Sequence, residues 1–230
     1  MDYYFGELEK GVFIKRENRF LATVELQGKI VNAHVPNTGR MAELLVPGAK
    51  VWVEKAEKST RKTGYDLLLV NKDGFYICLN AQLANTLFAI WLAKGKLPDF
   101  KNCIKCAKEK IVGKSRIDFF LEFTDYSYLV EVKSVNLVEN KTAKFPDAPT
   151  VRGSRHLEEL LNFQKQGQKA AVVFIVMRED AEKFSPNDKR DPLFGDTLRK
   201  AGNSGVEVYA YTCLINPRGI TFAHKIEVNL

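Results

Sequence analysis

Between Gly11 and Leu79 apolar residues recur in short alternating runs: Val12 to Lys15, Phe20 to Leu26, Ile30 to Val35, Lys50 to Glu54, Asp66 to Val70 and Phe75 to Cys78. A period of two over such lengths is the signature of half-buried strands. Asn18-Arg19, Gln27-Gly28, Pro47-Gly48 and Asp73-Gly74 supply turn residues between them. The pattern predicts a small antiparallel barrel of the five-stranded oligonucleotide-binding type, spanning residues 1–80. At Asn80 the period lengthens to about 3.6. Leu83, Leu87, Ile90 and Trp91 form an apolar stripe on a helix over Ala81 to Lys94, and a second domain, 81–230, begins there.

That second domain is predicted to run α-β-β-α-β-α-β. Its first two strands are Lys114-Ser115-Arg116-Ile117-Asp118-Phe119-Phe120-Leu121 and Leu129-Val130-Glu131-Val132-Lys133, joined through Thr124-Asp125-Tyr126-Ser127. A loop with Pro146 and Pro149 leads to a helix from Arg155 to Lys165, which Ser154 can cap and whose inner face carries Leu157, Leu160, Leu161 and Gln164. Ala170 to Met177 is almost continuously apolar, as expected of a strand covered on both faces. A helix over Asp191 to Ala201 and a strand over Val206 to Cys213 complete the order. The β-rich run after Asn203-Ser204-Gly205 argues against a helix-turn-helix there.

Candidate chemistry sits on the paired strands. If their turn centres between Thr124 and Asp125, Asp118 lies opposite Glu131; centred one residue later, Asp118 faces Lys133 and is diagonal to Glu131. Either register puts all three on one face, because opposed residues share a side, and a half-step slip separates them. Two carboxylates with water and substrate phosphate suffice for Mg²⁺ or Mn²⁺, and the Val132 carbonyl can add a ligand. Lys133 can orient a water or neutralise a phosphate in phosphodiester hydrolysis. The competing reading is ordinary strand-surface charge: E-x-K is a cheap pattern, and Glu139-Asn140-Lys141 is a second copy. Context separates the two, since only Glu131 and Lys133 interrupt an apolar strand.

The net charge of +7 and pI of about 9.1 favour a polyanionic partner. Arg152, Arg155 and His156 lie where the proline loop enters the helix, a natural phosphate clamp. Arg16, Arg19 and Arg40 fall in barrel turns that can follow a backbone, whereas the Lys55 to Lys62 stretch reads as a solvated charged loop. A membrane-spanning run and a signal peptide are both missing from the pattern, which predicts a cytoplasmic protein with no membrane partner. Cys103 and Cys106 form a lone CxxC with no second ligand pair, so thiols or a local disulfide are expected rather than zinc.

The acid on one strand, E-x-K on the next and a following helix resemble the core of the PD-(D/E)XK nuclease superfamily. The whole chain resembles the sugar fermentation stimulation protein family, through His34-Val35-Pro36-Asn37-Thr38-Gly39-Arg40-Met41, Ser115-Arg116-Ile117-Asp118-Phe119, Val130-Glu131-Val132-Lys133-Ser134-Val135 and Phe145-Pro146-Asp147-Ala148-Pro149-Thr150. The resemblance implies an oligonucleotide-binding-type barrel followed by a nuclease-like α/β/α domain with a mixed sheet, non-specific DNA binding and a regulatory role in sugar use. Superfamily members usually add a glutamate from the first helix. Here that helix has no acid, and Asn85 is the polar side chain of comparable reach. Two readings follow: a Mg²⁺-dependent nuclease acting on DNA, or a non-catalytic DNA-binding regulator that keeps the fold. Oligomeric state is left open, a homodimer included, and nothing points to a sugar-processing enzyme.

Overall fold

The computed structural model describes residues 1–56, 63–112 and 115–230, so most of the Lys55 to Lys62 stretch lies outside it. The first strands are β1 (Tyr3–Tyr4), β2 (Leu8–Asn18), β3 (Leu21–Leu26), β4 (Lys29–His34), β5 (Lys50–Lys55), β6 (Tyr65–Lys72) and β7 (Phe75–Cys78). Their order is β4-β3-β2-β5-β6-β7, and a parallel pairing of Ala33 with Tyr65 and His34 with Asp66 brings β4 back to β6. Strands β2 to β6 therefore close into a five-stranded barrel, as the turn spacing predicted. Phe13, Val24, Ala33, Val51, Val53, Leu67 and Val70 fill its interior, with a register shift between β5 and β6 bringing Leu67 and Val70 to the same side. Lys15 to Asn18 belong to β2 and not to a turn, because the strand runs on to Asn18.

The second domain contains α1 (Leu83–Ala93), β8 (Lys105–Val112), β9 (Ser115–Glu122), β10 (Ser127–Val135), β11 (Val138–Glu139), β12 (Thr142–Phe145), α2 (Val151–Lys165), β13 (Lys169–Val176), β14 (Lys183–Pro186), α3 (Pro192–Asn203), β15 (Glu207–Asn216) and β16 (Gly219–Val228). They form one mixed sheet in the order β11-β12-β14-β16-β15-β13-β10-β9-β8. The central strands β10, β13 and β15 are parallel, and β16 and β9 flank them antiparallel. One face packs on Leu87, Phe88 and Trp91 of α1, the other on Leu157, Leu160, Phe194 and Leu198 of α2 and α3. From Ala170 to Val176 β13 is buried throughout, which follows from this double cover.

The structure adds β8, β11, β12, β14 and β16 to the predicted order. Strand β8 escaped because Lys-Cys-Ala-Lys-Glu-Lys offers almost no apolar alternation, as suits an edge strand guarded by lysines. At the other end of the chain, β1 pairs with β16 rather than with the barrel, and Asp2 accepts hydrogen bonds from Lys94, Lys96 and the Phe222 N–H. The first residues are thus stitched to the second domain, so the division at residue 80 is crossed by the N-terminus. Trp52 and Leu69 of the barrel join the core beneath α1, and the Cys78 N–H donates to the Met177 carbonyl. No described helix is long and apolar enough to cross a membrane.

Candidate functional site

The pairing of β10 with β9 runs from Ser127↔Glu122 to Val130↔Phe119. This is the register with the turn between Thr124 and Asp125, and its next step sets Asp118 opposite Glu131. Strand β9 is not regular at that step. Ile117 packs in the core beneath α2, while Phe119, two residues on, packs in the core beneath α1. Ideal alternation would put them on one face. Across on β8 the ladder skips Glu109, whose backbone is left-handed at φ 58°. Such irregularities re-aim a side chain, and here the Asp118 carboxylate accepts from the Val132 N–H at 2.8 Å and from Asn85 Nδ2 of α1 at 2.8 Å. Asn85 therefore stands at the acid, and it does so as a hydrogen-bond donor.

Glu131 projects toward α2 and is only 2% exposed. Its Oε1 receives the Lys133 ammonium and the Nδ1–H of His156. Arg152 Nε donates to His156 Nε2 at 3.3 Å, which fixes the imidazole as the tautomer with its proton on Nδ1. Glu131 Oε2 is buried with no hydrogen-bond partner. Burial by itself would raise the Glu131 carboxyl, but the Lys133 charge and the His156 hydrogen bond overcome it and hold the group below its ordinary range. Asp118 goes the other way: burial, helped by the negative charge of Glu131, pushes it up. Two neighbouring carboxyls with oppositely displaced pKa values are a recurrent arrangement in sites that divide acid and base roles.

Lys133 leads into a cleft of about 380 Å³ between the two domains. Its walls are the barrel loop at Asn37, Thr38 and Gly39, the strand from Val132 to Asn136, and the segment from Phe145 to Gly153. Polar contacts tie these walls together. Asn37 Nδ2 donates to the Leu79 carbonyl at 3.0 Å and to Asn136 Oδ1 at 2.9 Å, and the Met41 N–H donates to Asp147 Oδ2 at 2.7 Å. A Cβ on Gly39 would come within 3.1 Å of both Asn37 Oδ1 and Asp147 Oδ2, so a larger residue here would press on the two side chains that tie the loop to the second domain. The sequence held a trace of this in Asn37-Thr38-Gly39-Arg40, but the partners Asn136 and Asp147 are about 100 residues away and unreadable without the fold.

The predicted cations divide into two groups. Arg19, Arg40, Arg152 and Arg155 are exposed, and Arg19 and Arg152 line the cleft. Arg16 and His156 are committed elsewhere. The Arg16 guanidinium donates to the carbonyls of Gly39, Arg40, Arg19 and Asn37 at 2.5 to 3.2 Å, acting as a staple for the loop rather than as a free phosphate contact. His156 is 1% exposed and saturated by Glu131 and Arg152, which removes it from direct contact with a polyanion. The helix starts earlier than predicted, at Val151, because the Thr150 hydroxyl accepts the Gly153 N–H. Ser154 is not the cap; its buried Oγ has no partner. All four cysteines are free thiols, Cys78 and Cys213 buried and Cys106 exposed.

Barrel and site together define a two-domain protein in which an oligonucleotide-binding-type module is locked against a mixed α/β domain holding a buried carboxylate, lysine and histidine cluster. The family model described as the N-terminal OB domain of SfsA matches residues 14–79, and the one described as the sugar fermentation stimulation protein RE domain matches residues 82–219. The chain belongs to the sugar fermentation stimulation protein family. It is 47% identical over 212 residues to the homolog from Acetivibrio thermocellus, covering 92% of this chain and 91% of that one. With the homolog from Moorella thermoacetica it shares 44% identity over 227 residues, 98% of each chain. A solved structure, that of Pyrococcus furiosus SfsA in complex with Ca²⁺, superposes with a TM-score of 0.91 at 32% identity, covering 99% of this chain and 98% of the other.

Proposed function

We propose that this protein is a cytoplasmic DNA-binding protein, largely indifferent to sequence, with a divalent-cation-dependent phosphodiesterase site of the PD-(D/E)XK kind on β9 and β10. The observation that carries this reading is the unshared Oε2 of Glu131, a carboxylate oxygen buried without a hydrogen-bond donor near the half-buried carboxylate of Asp118. An unpaired buried anion oxygen is costly unless something positive meets it. Asp118 and Glu131, with the Val132 carbonyl, fit Mg²⁺ or Mn²⁺, which takes one or two carboxylates and otherwise keeps water. The name of the Pyrococcus furiosus relative, a complex with Ca²⁺, supports a cation site in this family. When bound, the ion would supply Lewis-acid neutralisation of phosphate charge.

The chain's own residues supply the rest. Lys133 reaches the wall of the cleft, where an ammonium can stabilise charge on a phosphoryl oxygen. His156 and Arg152 hold Glu131 in place from α2, and Asn85 with the Val132 N–H holds Asp118. Arg19 and Arg152 offer cations to the phosphates on either side. One observation favours the non-catalytic reading: among the described residues no group of three His, Cys, Asp or Glu side chains is placed to hold a metal ion, since His156 meets Glu131 through a hydrogen bond.

The deciding experiment incubates the protein with single-stranded, duplex and branched DNA, and with RNA, in the presence of Mg²⁺ or Mn²⁺, alongside Asp118→Ala and Lys133→Ala. Products that require the metal and fall at least about 100-fold in both variants are expected. DNA retained without any cut product would remove the catalytic claim and leave the regulator.

A further inference from the structure

Next to Arg19, which lines the cleft, the barrel carries a feature that neither the fold nor the carboxylate site requires. Phe20 is 50% exposed, although its backbone is rigidly held: its N–H donates to Asn18 Oδ1 at 2.9 Å and its carbonyl accepts the Val35 N–H at 2.9 Å. The ring lies nearly parallel to that of His34, with centroids 6.5 Å apart and planes inclined by 19°. His34 is fixed in turn by Asp66 at 2.9 Å. A phenylalanine in a surface turn, pinned by its backbone and flanked by a second fixed ring in a nearly parallel plane, contributes nothing to the barrel core. It is arranged as a platform.

Cations surround the platform. Arg16 grips the carbonyls of Arg19 and Arg40, so both residues are presented from an ordered loop with their side chains in solvent. Among the described residues neither side chain has an ion-pair partner, and Arg19 also lines the cleft that leads to Lys133. Flat apolar surface flanked by unpaired guanidinium groups fits a base and its phosphates. The bases within a duplex already stack on one another and expose only edges, so away from a duplex end a ring platform can be met only by an unpaired base. The cleft agrees: at about 380 Å³ it has the size of a site for one small ligand.

Building on the nucleic-acid reading above, we infer that Phe20 and His34 form a stacking platform for an unpaired nucleotide, and that the protein takes single-stranded nucleic acid across Arg19 into the cleft toward Lys133. The ligand class is therefore a single strand or a single-stranded end, and not the interior of a duplex. Phe20 is a binding residue and not a catalytic one.

The test is fluorescence anisotropy with the full chain and no divalent metal present, using a labelled thymidine oligonucleotide of about a dozen bases and a blunt duplex of the same length. Phe20→Ala should weaken the single strand by roughly 5- to 150-fold, the effect of one lost base–aromatic stack, and leave duplex affinity within about twofold. Phe20→Trp should restore binding, and its indole emission should be quenched on addition of the single strand but not of the duplex. Equal losses for both probes, or no loss for either, would overturn the platform while leaving nucleic-acid binding in place. If the unmodified protein binds neither probe, the functional reading itself fails and the platform falls with it.

Discussion

The chain writes the same three-residue pattern twice, and the structure gives the copies opposite characters. Glu131 and Lys133 sit on the central strand β10 with side chains 2% and 14% exposed, bonded to each other and, through Glu131, to a buried histidine. Glu139 and Lys141 sit 51% and 69% exposed at the sheet's far edge and do not pair with each other; Glu139 meets Lys144 and Lys141 meets Glu182. Spacing is identical, so spacing is not what makes a site. The difference comes from strand position. A central strand is buried on both faces, and charges there must find fixed partners. At an edge, water and any passing lysine will serve.

Truncation should separate the copies most sharply. Glu131→Ala leaves the Lys133 ammonium and His156 without their shared acceptor, and breaking one partner of a buried pair costs about 3–5 kcal/mol. Glu139→Ala should cost under about 0.5 kcal/mol, the ordinary worth of an exposed pair. Urea denaturation at neutral pH reads both directly. Comparable losses for the two variants would show that burial does not distinguish them.

Titration of the second carboxylate distinguishes them further. Asp118 is displaced upward, chiefly by burial and then by the Glu131 charge. For a cation-free protein the sign is that ionising Asp118 opposes folding: its contribution is complete below the ordinary aspartate pKa and is lost as pH rises through the raised value. Glu131, displaced downward, behaves oppositely and keeps its contribution until pH falls through its lowered value. Asp118→Asn is therefore expected to raise the melting temperature of the cation-free protein at about pH 7, with the gain shrinking toward about pH 3. Added divalent cation should reverse the order, stabilising the native protein and not the variant. Glu139→Gln should show no such crossover.

Much of this was legible before the fold was known, for reasons that also mark where reading stops. Barrel strands announce themselves because one face is core and the other water, so period two survives in the sequence. The short hairpin left two registers for Asp118, opposite Glu131 or opposite Lys133, and the structure follows the first. What could not be read depended on contacts distant in sequence or on broken periodicity. His156 looked like an exposed first-turn cation because its acceptor, Glu131, is 25 residues earlier. Arg16 looked like a phosphate contact because nothing local reveals that its two terminal nitrogens face four loop carbonyls. The irregularity at Asp118 leaves no mark, since the residues on either side of it are apolar in any register.

The smallest expected effect lies at the start of α2, the helix that carries His156 to Glu131. Two hydroxyls compete there for one role. Sequence favours Ser154, directly before the basic pair; the structure uses Thr150, whose Oγ1 accepts the Gly153 N–H at 3.0 Å, and leaves the Ser154 hydroxyl buried with no partner. Capping hydroxyls are worth about 1 kcal/mol, so Thr150→Ala should lower stability by that amount. Ser154→Ala removes an unsatisfied polar atom at the loss of little volume and should be neutral or slightly stabilising. The consequence reaches the site: a frayed first turn frees Arg152, and with it the hydrogen bond that sets the His156 tautomer. If Thr150 matters only as a cap, its variant should lose about 1 kcal/mol and keep the Glu131 environment; if the cap also holds the histidine, the Nδ1–H resonance of His156 in Thr150→Ala should weaken or shift while that in Ser154→Ala stays unchanged.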